Sequence, residues 1–432
     1  MAGPPPTAGT GLSEPSAHDA LRWRGGDAGL RSRLAPVLDA LLARGPGVEV
    51  LREKAGRRRL ARARLASGER LFLKHFAARD PGWKRRLGLT ASAREFRALT
   101  SLRAAGVAVP EALAHVETAS GDEVVVTRFL EGEPLADALA RLPAAERRAL
   151  LAALGALVRR LHASGRIHRD LHRENVWVTA EGPVLIDLQQ GLPIAPPWLR
   201  RRDQGELDAS LAPLLSLADR VRLRAHLLGV ERPFDASARA AIRAIGRASE
   251  ARHRSHVESR TRRSLREGRL YVPLRCDHGR GMRLREVSEG DAVAALGAAG
   301  DTRDARGVWL AGHGLRARGI GAPRPLAFAG SRVALAHTPP GAPPDDAGIV
   351  ALGVALRRHD VAIAEGAEPG RDEQGRLGPL PLEGVAFRSR LSREEAARVD
   401  AFVARHVADP TAFERYRTRL RFYDVETVTQ RK

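Results

Sequence analysis

The run "RLARARLA" (Arg59–Ala66) alternates apolar and basic residues with period two, the pattern of a half-exposed strand. Two further extended runs flank it, "VEVLRE" (Val48–Glu53) and "RLFLKHF" (Arg70–Phe76), and turn-like "AGRR" and "ASGE" separate the three, which predicts a meander. Before it, "LRSRLAPVLDALLA" (Leu30–Ala43) has helical spacing. After it, "SAREFRALTSLRAAG" (Ser92–Gly106) predicts a helix closed by glycine. "ALAHVE" and "EVVVTRFL" predict two more strands. "PAAERRALLAALGALVRRLHASG" (Pro143–Gly165) is a long periodic helix with Pro near its start and Gly at its end. Two short apolar runs, "VWVT" and "VLID", then bracket "AEGP" as a hairpin, and a helical pattern runs from about Gln204 to Arg247. Strands, one helix, strands and then mostly helices predict an α+β chain with a small sheet-rich lobe and a larger helical lobe. Pro- and Gly-rich runs at Pro339–Pro344 and Gly366–Pro381 predict loops.

The second half echoes the first in three places and in the same order. "RAAGVAVPEALA" (Arg103–Ala114) is matched by "RARGIGAPRPLA" (Arg316–Ala327), "GDEVVVTRFLEGEPLADA" (Gly121–Ala138) by "GSRVALAHTPPGAPPDDA" (Gly330–Ala347), and "LGALVRRL" (Leu154–Leu161) by "LGVALRRH" (Leu352–His359). The order points to an internal duplication. The expected organisation is a disordered leader over 1–25, a first domain over 26–250 and a second over 255–432.

Composition changes this picture little. The net charge of +21 favours anionic partners, but the charge is almost all Arg, spread along the chain, with only four lysines: Lys54, Lys74, Lys84 and Lys432. Aromatic residues at 4% leave no evident stacking platform for nucleic acid, so no nucleic-acid role is expected. Cys276 is the only cysteine, so no intrachain disulfide or cysteine-based zinc site is expected, which suits a cytoplasmic protein. No apolar run reaches the ~20 residues that span a bilayer, and the start of the chain lacks the pattern of a signal peptide, so any membrane contact is expected to be peripheral.

The chemistry concentrates in "RIHRDLHRENVWVTAEGPVLIDLQQ" (Arg166–Gln190). Phosphoryl transfer from ATP needs a held nucleotide, a metal ion on the phosphates and a carboxylate near the attacking hydroxyl. Mg2+ takes hard oxygen ligands and usually only one or two protein carboxylates. Asp170 is placed to accept the hydroxyl proton, Asn175 offers an amide oxygen, and the hairpin returns Asp187 toward Asn175. Taken singly, each has an ordinary reading: Asp170 a solvated loop acid, Asn175 a turn residue, Asp187 a strand-end acid. As an ordered set they point to one cation-binding site. His162 and His168 read as structural.

The order "HRDLHREN" then "LIDLQQ", with Lys74 on a predicted strand in "LFLKHF" and Glu95 on the next helix in "SAREFRAL", resembles the protein-kinase-like superfamily over roughly Val48–Leu228. The resemblance implies a two-lobed protein-kinase-like fold, ATP held by Lys74 with Glu95 as its partner, Asp170 as the catalytic carboxylate, and Mg2+ held by Asn175 and Asp187. His172 stands where Ser/Thr kinases usually carry Lys, and neither a Phe-Gly after Asp187 nor an "APE" segment is present. "EFRALTSLRAAGVAVPEALA", "FLEGEPLADAL", "HRDLH" and "LIDLQQ" are most similar to bacterial lipopolysaccharide kinases, which phosphorylate heptose or Kdo sugars of the lipid A–core. That implies ATP-dependent phosphorylation of a sugar hydroxyl on a glycolipid, in the cytoplasm or at the inner face of the membrane. Related aminoglycoside and choline phosphotransferases more often have Gly where Arg169 stands. The family's glycine-rich loop is missing; "REKAGRRRLARARL" holds Gly56 among basic residues instead. A protein or antibiotic kinase and a non-catalytic pseudokinase scaffold are the alternatives. Val308 falls where Glu95 falls, and no second Asp–Asn–Asp set follows Leu356, so the second domain is expected to be a degenerate kinase-like copy.

Overall fold

The period-two run around Leu60 forms the middle strand of a meander, with Ala61 and Ala63 buried and Arg62 and Arg64 exposed, as the alternation predicts. The computed structural model describes residues 21–337 and 343–428, and the chain divides into two compact units, 1–252 and 253–432. In the first unit the elements run β1 (Arg22–Gly26), α1 (Arg31–Ala43), β2 (Val48–Lys54), β3 (Arg58–Arg64), β4 (Arg70–Phe76), α2 (Gly82–Arg86), α3 (Ala91–Ala104), β5 (Ala112–Glu117) and β6 (Glu123–Arg128). The six strands make one sheet in the order β1-β5-β6-β4-β3-β2. Leu71 and Leu73 of β4, with Ala61 and Ala63 of β3, face Leu34, Leu38 and Leu41 of α1. Side chains of opposite parity, Lys74 and Phe76, therefore lie on the other face, where Phe76 and Val125 join a core with Ala98, Leu99 and Leu102 of α3.

That core continues into the helical part. β7 (Glu133–Pro134) leads to α4 (Leu135–Arg141) and α5 (Ala144–Ala163); β8 (Val176–Thr179) and β9 (Gly182–Leu185) form the hairpin; α6 (Pro197–Leu211) and α7 (Leu217–Leu228) follow, and α8 (Ala236–Arg263) begins in this unit and ends past its boundary at residue 252. Leu151, Leu154, Leu157, Val158 and Leu161 of α5 recur at helical spacing and are buried with Leu171, Leu185 and Leu188 around the hairpin. Glycines at positive φ close α3 and α5: Gly106 at 73° and Gly165 at 76°.

The second unit contains β10 (Tyr271–Cys276), β11 (Gly279–Leu284), α9 (Glu289–Ala298), α10 (Ala305–Ala317), β12 (Pro325–Ala329), β13 (Arg332–Leu335), α11 (Asp346–Arg358), β14 (Val361–Ala362), β15 (Glu368–Arg371), β16 (Leu377–Leu380), β17 (Ala386–Phe387), α12 (Arg393–His406) and α13 (Pro410–Val428). Its sheet order is β10-β11-β12-β13. This differs from the first unit: β4 pairs with β6, the second strand after α3, whereas β11 pairs with β12, the first strand after α10.

Several expectations are corrected. Gly366–Pro381 is not a loop but contains the β15–β16 hairpin, because Leu377 and Leu380 of β16 pack on the second unit's core. Residues 22–25, read as part of the leader, lie in β1, whose Trp23 packs against the first sheet. The rest of that leader up to residue 20, and residues 339–342 of the first Pro-rich run, lie outside the described residues. The helical stretch expected from Gln204 begins at Pro197, where proline suits a first helical turn.

Candidate active site

Lys74 is one of four lysines in an arginine-rich chain, and it sits on the inner face of β4, only 6% exposed. Its Nζ donates to Glu95 Oε1 at 2.7 Å and Oε2 at 3.0 Å, and to Asp187 Oδ1 at 2.8 Å. Helical spacing puts Glu95 on the same face of α3 as Ala98, Leu99 and Leu102, so the helix carries its one carboxylate in with its apolar stripe. Burial pushes the Glu95 carboxyl above its ordinary value, and neighbouring Asp187 adds to this; Lys74 opposes both without cancelling them. Three charges thus converge from β4, α3 and the segment after β9.

The hairpin does the remaining positioning. β8 and β9 pair from Val176↔Leu185 to Thr179↔Gly182, and the Ile186 N–H continues the ladder to Asn175 O at 3.0 Å. The strand expected to reach Asp187 in fact ends at Leu185. Asp187 leaves the ladder at φ 60°, ψ 54°, a left-handed conformation that aspartate tolerates better than most residues. This turns its carboxylate toward Lys74, with Arg58 Nη1 3.8 Å away. The Asn175 amide donates to Asp170 O at 2.8 Å and lies 3.1 Å from His172 Nε2, so its nitrogen is anchored inside the loop.

Asp170 is about one-third exposed, and His172 Nε2 lies 3.7 Å from its Oδ1. The imidazole holds the Asp170 carboxyl below its usual range, against the opposing effect of burial, and Asp170 in turn raises His172. His168 is fully buried and its Nε2 lies 3.0 Å from Ile186 O. Burial lowers its pKa, so the neutral ring donates from Nε2 and ties the loop to the strand that carries Asp187.

Reading the sequence missed the residue that holds this loop in shape. Asp203 of α6 is 1% exposed and accepts from the backbone N–H of His168 at 2.7 Å and of Arg169 at 2.9 Å. Arg169 adopts φ 66°, which glycine reaches more freely and which here is held by that carboxylate. No spacing rule marks Asp203 within "RRRDQ". One turn later Glu206 is also buried: Oε1 accepts from Arg252 Nε at 3.0 Å and Oε2 has no partner. Burial raises its pKa, and the field of Asp170 contributes. Arg58 is a further addition; it follows the β2–β3 turn, where Gly56 at φ 59° lets the chain reverse.

The donor set at Asn175 and Asp187, one amide and one carboxylate, is hard oxygen chemistry of the kind Mg2+ takes. Among the described residues no cluster of three or more His, Cys, Asp or Glu is arranged to hold a metal, so a cation there would keep places for phosphate and water.

No curated protein is significantly similar in sequence to this chain. Among solved structures, WaaP in complex with acyl carrier protein is 22% identical with a TM-score of 0.41, covering 54% of this chain and 98% of that one. The PknI kinase domain of Mycobacterium tuberculosis is 19% identical with a TM-score of 0.29, covering 47% and 96%. The Rio2 kinase–ADP/Mg2+-phosphoaspartate complex from Chaetomium thermophilum is 20% identical with a TM-score of 0.32, covering 53% and 77%. Residues 49–226, the stretch that holds Lys74, Glu95, Asp170, Asn175 and Asp187, match the model of the lipopolysaccharide kinase (Kdo/WaaP) family, and through that match the first unit is placed among ATP-dependent phosphotransferases.

Proposed function

We propose that the first unit transfers the γ-phosphoryl group of ATP to a sugar hydroxyl, of the kind found in the lipopolysaccharide core. The observation that carries this reading is the position of Lys74, buried and bonded at once to Glu95 and Asp187. A buried ammonium between two carboxylates on three different elements is costly unless it serves a ligand. Lys74 holds the nucleotide phosphates, and Glu95 keeps it aimed. Asp170 accepts the acceptor's hydroxyl proton as the oxygen attacks the γ-phosphorus and ADP departs. Asn175 and Asp187 would hold a divalent cation, Mg2+ by donor chemistry, which would offset the phosphate charge. Arg58, beside Asp187, takes up part of the role that a glycine-rich loop performs elsewhere. The test is to incubate the full chain with labelled ATP and a panel of core sugars, lipopolysaccharide extract, aminoglycosides and generic protein. Label on a core sugar supports the reading; label on aminoglycoside or protein alone moves the enzyme to another branch, and none on any acceptor favours a scaffold.

The second unit reads as a degenerate copy that binds no Mg-ATP. An offset of 213 residues supports this. The Val107 N–H bonds Leu102 O at 2.9 Å and the Ile320 N–H bonds Leu315 O at 3.0 Å; the next residue meets a strand in each unit, though with the roles exchanged, since Leu185 N–H donates to Ala108 O whereas Gly321 N–H donates to Leu377 O. At the same offset Val308 stands for Glu95, 5% exposed in an apolar core. The exchanged strand order of its sheet is the feature a duplication must accommodate. In the full chain carrying Lys74→Met and Asp187→Ala, Mg-ATP binding should vanish; residual stoichiometric binding would overturn the degenerate reading.

A further inference from the structure

Glu95 reaches Lys74 only if α3 sits at one height and one rotation over the sheet. Lys74 of β4 and His115 of β5 both lie opposite Val125 of β6, one on each side, so the three side chains form a row on the face that meets α3. Glu95 and Phe96, about 100° apart around the helix, reach the two ends of that row. Glu95 bonds Lys74, while the Phe96 ring stacks on the His115 ring with centroids 5.8 Å apart and planes at 28°. β1 bounds Phe96 as well: a Cβ at Gly25 would overlap its ring.

A second buried carboxylate holds this arrangement. Glu123 of β6 stands opposite Phe76, two residues from Val125 and on the same face. It is 6% exposed, and among the described residues no Lys or Arg pairs with it. Its Oε1 accepts from Thr90 Oγ1 at 3.1 Å and lies 3.2 Å from His115 Nε2. Burial alone would raise its pKa, but hydrogen bonds from His115, Ser92 and Thr90 hold it below the ordinary glutamate value, so it is ionised at neutral pH and His115 donates from Nε2. Thr90 is also the N-cap of α3: its Oγ1 accepts from the Ala93 N–H at 3.3 Å while its proton goes to Glu123. The negative charge is thereby coupled to the positive end of the helix. Thr90, Ser92 and His115 are all buried. A buried carboxylate with no Lys or Arg partner is a costly way to fasten a helix that apolar packing alone could hold. What it adds is direction, since hydrogen bonds fix a position along which apolar contacts can slide.

We propose that Glu123 is a positioning residue for the nucleotide site: through Thr90 it fixes where α3 begins, through His115 and Phe96 it fixes how α3 is turned, and both together hold Glu95 against Lys74. Glu123 touches neither Lys74 nor Glu95 and acts only through the helix. Loss of its hydrogen bonds leaves α3 free to shift on its apolar face, and Lys74 then loses the partner that aims it. The consequence for ATP rests on the reading of Lys74 as the residue that holds the nucleotide phosphates; the consequence for α3 does not.

The test uses the full chain and three substitutions. Thr90→Val keeps the shape of the side chain without its hydroxyl, Thr90→Ser keeps the hydroxyl, and Glu123→Gln removes the charge. The first measurement is a double-mutant cycle with Lys74→Met in urea unfolding. Thr90 and Lys74 share no hydrogen bond, so a role confined to capping gives losses that add. With α3 loosened, Glu95 can turn away once Lys74 is gone, and the double variant should lose less stability than the two single losses summed. Ser216→Ala removes the side-chain cap of α7 and serves as the control, whose loss should add to that of Lys74→Met. The second measurement is Mg-ATP affinity by calorimetry. Thr90→Val and Glu123→Gln should weaken it by about tenfold, and Thr90→Ser should restore it. If Thr90→Val does not fold, Glu123→Gln carries both measurements. Additive losses in the cycle overturn the proposal. So does affinity that falls in Lys74→Met but is kept in both Thr90→Val and Glu123→Gln. Affinity unchanged in Lys74→Met sinks the nucleotide reading instead, and the cycle alone then decides the role of Glu123.

Discussion

Replacing Lys74 with Met keeps the aliphatic stem and removes the charge, leaving the Glu95 carboxylate buried opposite Asp187. Its side chain is 7% exposed against 24% for Asp187, so Glu95 bears the penalty. Breaking a buried ion pair costs about 3–5 kcal/mol when the remaining charge has no escape. Glu95 has one, since it can take a proton. From an ordinary glutamate pKa, neutralising it at pH 7 costs about 3–4 kcal/mol, at about 1.4 kcal/mol per pH unit. Because the parent's Glu95 is itself raised and already bears part of this cost, the destabilisation relative to the parent should be at most about 3 kcal/mol at neutral pH and shrink on acidification by at most about 1.4 kcal/mol per unit. The sign follows from a carboxyl whose folded pKa lies above its unfolded one. The cost is absent below the unfolded value and grows as pH rises toward the folded one, a direction already present in the parent protein. Urea unfolding from mildly acidic to neutral pH reads this slope. Adding Glu95→Gln should restore most of the stability and none of the ATP turnover. A pH-independent penalty, or no rescue by Glu95→Gln, would refute the electrostatic account. Turnover surviving in Lys74→Met would refute the nucleotide role.

Three further outcomes follow from the geometry. Asp187→Ala should lower Mg-dependent ATP turnover by roughly a thousandfold or more while unfolding temperature changes little, because the residue is partly exposed and lies outside the core; unchanged turnover would remove it from the site. Asp203→Asn should cost about 1–3 kcal/mol, since one of the two backbone N–H groups it holds would face an amide nitrogen, and kcat should fall more than the KM for ATP rises. Asp208 is buried, which alone would raise its pKa, but hydrogen bonds from Arg220 and Arg224 hold it below the ordinary carboxylate value. Its contribution is therefore complete above the unfolded pKa and lost as pH falls through the depressed folded one. Asp208→Asn should flatten that acid limb in urea unfolding and lower stability at neutral pH.

The elements of the first unit were legible because their apolar periodicity is local: alternation around Leu60, 3.6-residue spacing in Pro143–Gly165, glycines at the helix ends. The candidate site residues were legible for another reason, that Lys74, Glu95, Asp170, Asn175 and Asp187 follow one another in an order that matches a known family. What the order of residues could not contain is anything decided by packing between distant elements. Asp203 acts on backbone N–H groups, which no side-chain motif records, and it does so because α6 runs beneath the loop. Arg58 reaches Asp187 only because β3 lies beside β4 and the chain after β9 turns left-handed. The hairpin within Gly366–Pro381 was read as a loop because Pro and Gly dominate it, and two leucines packing on a core outweighed that local preference. The strand order of the second sheet lies furthest from the sequence, since no local feature of β12 or β13 says which of them pairs with β11. Sequence alone thus determined most elements of the first unit and the order of its charged residues; tertiary structure decided which strand meets which and what holds the loop of Asp170, because those choices depend on surfaces made by residues far apart in the chain.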